Sequence, residues 1–268
     1  MSSLADYIQE RQQNKSMLLM AHVLAGYPDL EANKTMLEEL DEAGTDLVEI
    51  QLPFSEPIAD GPAFVRANQS AIESGAPMDW DGFFDLFEWA TRNCSFKVLM
   101  MGYYNSVFKM GHETFCARLA ECGGAGFIIA DLPPEMNNGL FGEAQAKDLA
   151  PILIMASDRS DTTKCLTRFQ EIVPYADSFI YCVSRMGTTG KVTGEDDIQL
   201  SIKKAEAFRQ FTDLPLALGF GLKTPEALAA IKDHYDIGIV GTALLETWER
   251  DGKTGYSRFV KDLNAACG

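Results

Sequence analysis

Short apolar runs, rich in Val, Ile, Leu and Met, alternate along the chain with stretches whose apolar residues recur every three or four positions. The first pattern predicts strands and the second amphipathic helices. Strands are expected at Leu18–Leu24, Asp46–Leu52, Lys97–Tyr103, Gly126–Asp131, Pro151–Met155, Ser178–Ser184, Pro215–Gly219 and Ile237–Gly241. Helices are expected at Leu30–Ala43, Trp80–Thr91, Glu113–Cys122, Thr162–Val173, Ile198–Phe211 and Thr224–Asp233. Phe83, Phe84, Leu86 and Phe87 mark the apolar stripe of the second helix. Asp29-Leu30-Glu31-Ala32 and Thr224-Pro225-Glu226 read as helix starts, because Asp and Thr cap the first turn and Pro suits its first position.

Eight βα units in series imply a parallel sheet, and eight strands close a (β/α)8 TIM barrel. An open doubly wound sheet would want a G-x-G-x-x-G turn after its first strand, and none is present. There is no Pro-, Gly- or Ser-rich linker and no low-complexity tract, so residues 1–268 are expected to form one α/β barrel domain. An extra N-terminal helix, about Ser3–Gln13, is placed to cap the lower mouth.

Composition narrows the function classes. A formal charge of −16 argues against a nucleic-acid surface, which needs a basic face. It leaves phosphate ligands open, since backbone amides bind them without cationic side chains. No apolar run reaches the length of a membrane span, and Met1–Tyr7 lacks the basic and apolar regions of a signal peptide. The six cysteines show no CxxC spacing and sit in apolar surroundings, as reduced core thiols of a cytoplasmic protein would. His22, His112 and His234 make no metal-like spacing, so no metal site is expected.

The segment from Val48 to Pro62, VEIQLPFSEPIADGP, carries the candidate chemistry. Glu49 lies in a strand between Val48 and Ile50, where an unpaired carboxylate is expensive to bury. Asp60 follows in a loop stiffened by Pro53, Pro57 and Pro62. Barrels of this kind do their chemistry at the C-terminal ends of the strands, which places both acids on the catalytic face. A glutamate must hold its proton above the ordinary carboxylate range to act as an acid near neutrality, and an apolar mouth lined by residues such as Leu99 and Met101 would help by desolvation. Asp60, in a polar loop, is expected to stay ionised, so the two carboxylates can divide acid and electrostatic roles. Gly219-Phe220-Gly221 and Gly241-Thr242-Ala243 end the last two strands, the usual phosphate position of this barrel. The glycine-rich run Ser184–Gly194 after the sixth strand has the composition of a lid.

These residues resemble one family. Ala25-Gly26-Tyr27-Pro28, Glu49 with Pro53-Phe54-Ser55 and Ala59-Asp60-Gly61-Pro62, Gly102-Tyr103-Tyr104-Asn105, Ala130-Asp131-Leu132-Pro133, Ser184-Arg185 through Gly190 and the two late glycine motifs are similar to the tryptophan synthase alpha chains over essentially the whole length. The resemblance implies a lyase: retro-aldol cleavage of indole-3-glycerol phosphate to indole and glyceraldehyde 3-phosphate. It implies a β subunit that consumes the indole and carries pyridoxal phosphate, an α2β2 assembly, and no cofactor on this chain. It makes Glu49 the general acid/base and Asp60 the acceptor of the indole N–H. Tyr181 would pack beside Glu49 and substrate. Thr189 and Gly190 would close over the substrate, and Gly190, Gly221, Gly241 and Thr242 would hold the phosphate. His22 and Met101 would lie at the indole pocket, and Glu56 and Pro57 in the loop facing the β subunit.

Three positions depart from the family pattern. Gln51 stands for the usual glycine, Glu56 for aspartate, and His22 for an apolar or aromatic residue. They cluster around substrate and partner, so a changed intrinsic rate or partner coupling is a fair expectation. A catalytically weakened homologue acting as an allosteric partner of a β subunit is the alternative function. Another phosphate-sugar barrel is a third reading, although a Schiff-base aldolase would want a strand-end lysine, and Lys97 begins its strand.

Overall fold

Eight parallel strands close on themselves in chain order: β1 Leu18–Leu24, β2 Leu47–Gln51, β3 Lys97–Gly102, β4 Gly126–Ile129, β5 Ala150–Ala156, β6 Ile180–Val183, β7 Leu216–Gly219 and β8 Ile237–Val240. The computed structural model describes residues 3–74, 79–156, 162–183, 195–219 and 221–268. The helices are α1 Leu4–Gln12, α2 Leu30–Glu42, α3 Pro62–Glu73, α4 Trp80–Asn93, α5 Tyr104–Met110, α6 His112–Glu121, α7 Leu140–Gln145, α8 Thr162–Ile172, α9 Glu195–Phe208, α10 Pro225–Ala229 and α11 Thr242–Cys267. The last is broken at Gly252, whose φ of 60° is not helical. The closed ring is the (β/α)8 barrel that the alternating pattern predicts.

Each strand supplies two interiors, because successive side chains point to opposite faces. One set, with Val48, Ile50, Val98, Met100, Ile180 and Cys182, packs under the helices. The other, with Leu18, Met20, Leu47, Leu99, Ile152 and Ile237, fills the barrel. That double burial explains why the strands read as nearly continuous apolar runs. It also makes the polar inward positions informative. His22 pairs with Glu49 across β1 and β2, Glu49 with Leu99 across β2 and β3, and Gln51 with Met101 one layer higher. His22, Glu49 and Gln51 share the inward-facing parity of Leu18, Met20 and Leu47; His22 and Gln51 lie in the C-terminal half of their strands and Glu49 at the middle of β2.

The lower mouth is closed by α1. Its start is set by a capping box in which Ser3 and Asp6 exchange side-chain-to-backbone bonds. Leu4 and Ile8 are buried against the barrel interior and contribute about 1.5–3 kcal/mol each. The polar side of the same helix reaches two acids. Arg11 donates to Asp46 Oδ1 at 2.8 and 2.6 Å, and Gln12 donates to Asp236 Oδ1 at 3.1 Å. Asp46 also accepts from Lys15 at 2.7 Å and from the Leu19 backbone N–H at 3.0 Å. Asp236 accepts from Arg209 and from the Leu216 N–H. The two acids stand just before β2 and β8, on either side of β1, so α1 straddles the seam where the first and last strands meet.

Four helices were not legible from the pattern: α3, α5, α7 and α11. Pro62 sits in the proline-rich motif yet is the first residue of α3, where its fixed φ suits a helix start. The helix expected over Thr224–Asp233 stops at Ala229, after Thr224 caps the Ala227 N–H. The one expected over Ile198–Phe211 begins earlier, at Glu195, and ends at Phe208.

Candidate active site

A cavity opens at the C-terminal end of the barrel, and the sequence candidates Glu49, Asp60, His22, Met101 and Tyr181 all line it. Gly221, Gly241 and Thr242 line it from the chain that follows β7 and β8. Thr189 and Gly190 lie outside the described residues. Leu99 is fully buried one layer below, beside Glu49 in the register.

Glu49 is 1% exposed, and its setting is more polar than an apolar mouth. Its Oε1 is 2.7 Å from His22 Nδ1, and His22 Nε2 is 2.8 Å from Gln51 Oε1. Gln51 Nε2 donates to Asp60 Oδ2 at 2.8 Å, and Asn68 Nδ2 donates to the same oxygen at 3.2 Å. The two catalytic candidates are thus joined through the His22 and Gln51 side chains. Phe64 of α3 packs its ring 4.5 Å from the His22 imidazole and closes the network from outside. Among the described residues, Glu49 Oε2 has no hydrogen-bond partner.

Asp60 corrects one expectation. The loop that carries it is polar in sequence, but Asp60 is only 4% exposed, because Gln51 and Asn68 enclose it. Burial pushes its carboxyl above the ordinary aspartate range, against the opposing pull of Gln51, His22 and Asn68. Asn68 gave no sequence signal beyond a polar residue on the apolar side of α3. A second missed residue is Tyr103, whose hydroxyl accepts from the Ala59 N–H at 3.1 Å and pins the loop just before Asp60.

The part of the cavity that follows β7 and β8 has the features of an anion site. α11 starts at Thr242 without a side-chain cap, so the positive end of its dipole faces the cavity mouth unneutralised. Gly221 has φ near +90°, a conformation that favours glycine. A Cβ on Gly241 would come within 3.1 Å of His22 Cβ, so this glycine lets β8 approach the network. Lys223 also lines the cavity, with its ammonium bonded to Glu246 at 3.0 and 3.2 Å.

Tyr181 is held by a third glycine. A Cβ at Gly219 would lie 2.4 to 2.7 Å from the Tyr181 ring and hydroxyl. The ring could yield only by moving into the cavity, since β6 and β7 are paired at Val183 and Gly219. In the loop after β2, Glu56 is exposed but Pro57 is buried, and the projecting apolar residue is Ile58, 72% exposed.

Among the described residues, no group of three or more His, Cys, Asp or Glu side chains is placed to hold a metal ion, and no helix is long and apolar enough to cross a membrane.

Comparison with known proteins agrees along the whole chain. The family model described as tryptophan synthase alpha chain matches residues 8–267. A tryptophan synthase alpha chain of Desulforapulum autotrophicum is 37% identical over 261 residues, covering 97% of this chain and 99% of the relative. That of Syntrophotalea carbinolica is 38% identical over 256 residues, covering 96% and 98%. A solved Mycobacterium tuberculosis tryptophan synthase superposes with a TM-score of 0.88 at 26% identity, over 100% of this chain and 99% of that one. With the closed barrel and the acids at its upper mouth already in place, these matches are decisive: the chain belongs to the tryptophan synthase alpha chain family.

Proposed function

We propose that the cavity cleaves indole-3-glycerol phosphate with Glu49 as the proton-transferring group and Asp60 as the partner of the indole N–H. The observation that supports this most is one buried network holding both carboxylates in a cavity that an uncapped helix start also lines. The family is the lyase half of tryptophan synthase and works in an α2β2 complex. Its alpha chain carries no cofactor, and pyridoxal phosphate resides in the β subunit.

Cleavage needs a proton at the ring carbon that bears the glycerol chain. Glu49 gives that proton, and the ring becomes cationic at nitrogen. Asp60 accepts from the N–H and stabilises the developing charge at short range in a water-poor site. The glycerol hydroxyl then returns a proton to Glu49 as the carbon–carbon bond breaks. The bonding electrons flow into the ring, giving neutral indole and an aldehyde. Tyr181 and Met101 pack against the indole. Gly221, Gly241, Thr242 and the start of α11 hold the phosphate, with Thr189 and Gly190 assigned to the closing segment. We also read residues 1–268 as one barrel domain in the cytoplasm, and the loop carrying Glu56, Pro57 and Ile58 as part of the β-subunit contact.

The test is indole release from indole-3-glycerol phosphate with and without the β subunit. Release is expected in both, faster in the complex. No release in either would sink the residue roles and leave the alternative, a weakened homologue acting as an allosteric partner. Gly219→Ala should lower kcat/KM roughly 10- to 100-fold by pushing the Tyr181 ring out of place. An unchanged kcat/KM would show that the ring has room to move elsewhere.

A further inference from the structure

Two backbone groups fix the orientation of one amide, and the rest of the network follows from it. The Phe54 N–H donates to Asn68 Oδ1 at 2.9 Å, and the Phe64 carbonyl accepts from Asn68 Nδ2 at 2.8 Å. Asn68 Nδ2 therefore points a hydrogen at Asp60 Oδ2, which acts as acceptor. The Gln51 atom at 2.8 Å from that oxygen must be its amide nitrogen, so Gln51 Oε1 faces His22. His22 Nε2 must then carry a hydrogen. The remaining ring nitrogen, Nδ1, meets Glu49 Oε1 at 2.7 Å, a distance that requires a proton between them. A neutral imidazole beside an ionised Glu49 would oppose two lone pairs, and a neutral imidazole accepting from a protonated Oε1 would leave the buried Asp60 without a counter-charge.

We propose that His22 is a positioning residue for Glu49: an imidazolium whose Nδ1–H holds Oε1 and leaves Oε2 for the substrate. The proposal rests on Glu49 being the proton-transferring group. The charge balance supports it. Glu49 from β2 and Asp60 from the following loop are both buried, and two buried carboxylates without a cation are costly. The other groups around the ring are the Phe64 ring from α3, Gly241 after β8, Tyr181 from β6 and Lys223, whose ammonium is committed to Glu246. Burial alone would push His22 down, but Glu49, Asp60 and Gln51 outweigh it and raise the imidazole above its usual value.

The consequence is a proton cycle with a fixed counter-charge. Glu49 gives its Oε2 proton to the ring carbon, and the carboxylate that remains is paired with the imidazolium. The glycerol hydroxyl later returns one proton to Oε2, while His22 keeps both of its own throughout. The imidazolium balances the carboxylate that forms on proton transfer, and its Nδ1–H keeps Oε2 turned to the substrate. Removing it should slow that step.

The experiment compares kcat and KM in the complex with the β subunit for wild type, His22→Phe and His22→Gln. The glutamine variant keeps a hydrogen bond to Oε1 without the charge. His22→Phe is expected to lower kcat roughly 10-fold with KM unchanged, and His22→Gln to recover part of that loss. In 15N spectra of the wild-type chain near neutral pH, both His22 ring nitrogens are expected to be protonated, and Glu49→Gln should lower the His22 midpoint. An unchanged kcat in His22→Phe, a His22→Gln variant no faster than His22→Phe, or a single protonated ring nitrogen in wild type, overturns the proposal. Should the variants not fold, the wild-type spectrum decides alone. Retained turnover in Glu49→Gln would instead remove the acid/base role of Glu49, while the 15N spectrum would still report the charge on His22.

Discussion

Glu49→Gln is expected to lower kcat for indole release by about 10²- to 10⁴-fold, the usual worth of a positioned acid or base. The substitution keeps the shape of the side chain and an oxygen able to accept from His22 Nδ1, so the network from β1 to α3 has no reason to rearrange. What it removes is the exchangeable proton. Affinity for a glycerol phosphate analogue should be unchanged, because Gly221, Gly241 and Thr242 follow β7 and β8 while Glu49 belongs to β2. Steady-state indole release together with calorimetric titration of the analogue separates the two effects. Turnover within tenfold of wild type would take the chemistry away from Glu49. Loss of analogue binding would mean that the substitution had disturbed the cavity as a whole.

The second large effect belongs to the opposite end of the barrel. Asp46 has no exposed surface and accepts from Arg11, Lys15 and the Leu19 N–H. Asp46→Ala leaves a buried N–H and two cations without their partner. Losing one member of a fully buried pair costs about 3–5 kcal/mol. Here Arg11 is 40% and Lys15 21% exposed, so water recovers part of the loss and the expected cost is about 2–4 kcal/mol. Urea unfolding should show a lower midpoint with the same slope. The kcat of the folded protein should be unchanged, since Asp46 lies at the N-terminal end of β2 and the reacting groups at the other end. A cost below about 1 kcal/mol would show that the acid is not holding the lower mouth.

The strands were legible because both of their faces are buried, which leaves short apolar runs with sharp ends. β1 is found where the pattern places it, and the others differ from it by a few residues at most. Helices were legible where an apolar stripe was long, as in α4 with Phe83, Phe84 and Phe87. They were hidden where a helix is short, as α5 and α7 are, or where it carries glycines, as α11 does. In the site, Glu49 and Asp60 stood out because a carboxylate in an apolar strand and an aspartate in a stiff loop are each unusual. Their setting did not. Sequence marks His22 and Gln51 as departures, but only the closed ring shows that residues 27 and 29 apart from Glu49 and Gln51 meet at one imidazole. Asn68 orients that whole network from the neighbouring helix and looks ordinary in the sequence. Residue types reveal candidates, whereas hydrogen-bond direction is a property of the assembled barrel.

The bond from Gln12 to Asp236 joins residues 224 positions apart, and it crosses the seam between β1 and β8. During synthesis the ring has no closing partner for β1 until β8 has left the ribosome. Until then Leu4 and Ile8 have only part of the surface that will bury them, and β1 presents an unpaired edge. Closure over so long a loop comes late, after the local βα units have formed. α1 is thus not fully seated until β8 has emerged, and for most of translation the nascent barrel exposes an adhesive edge that invites other chains.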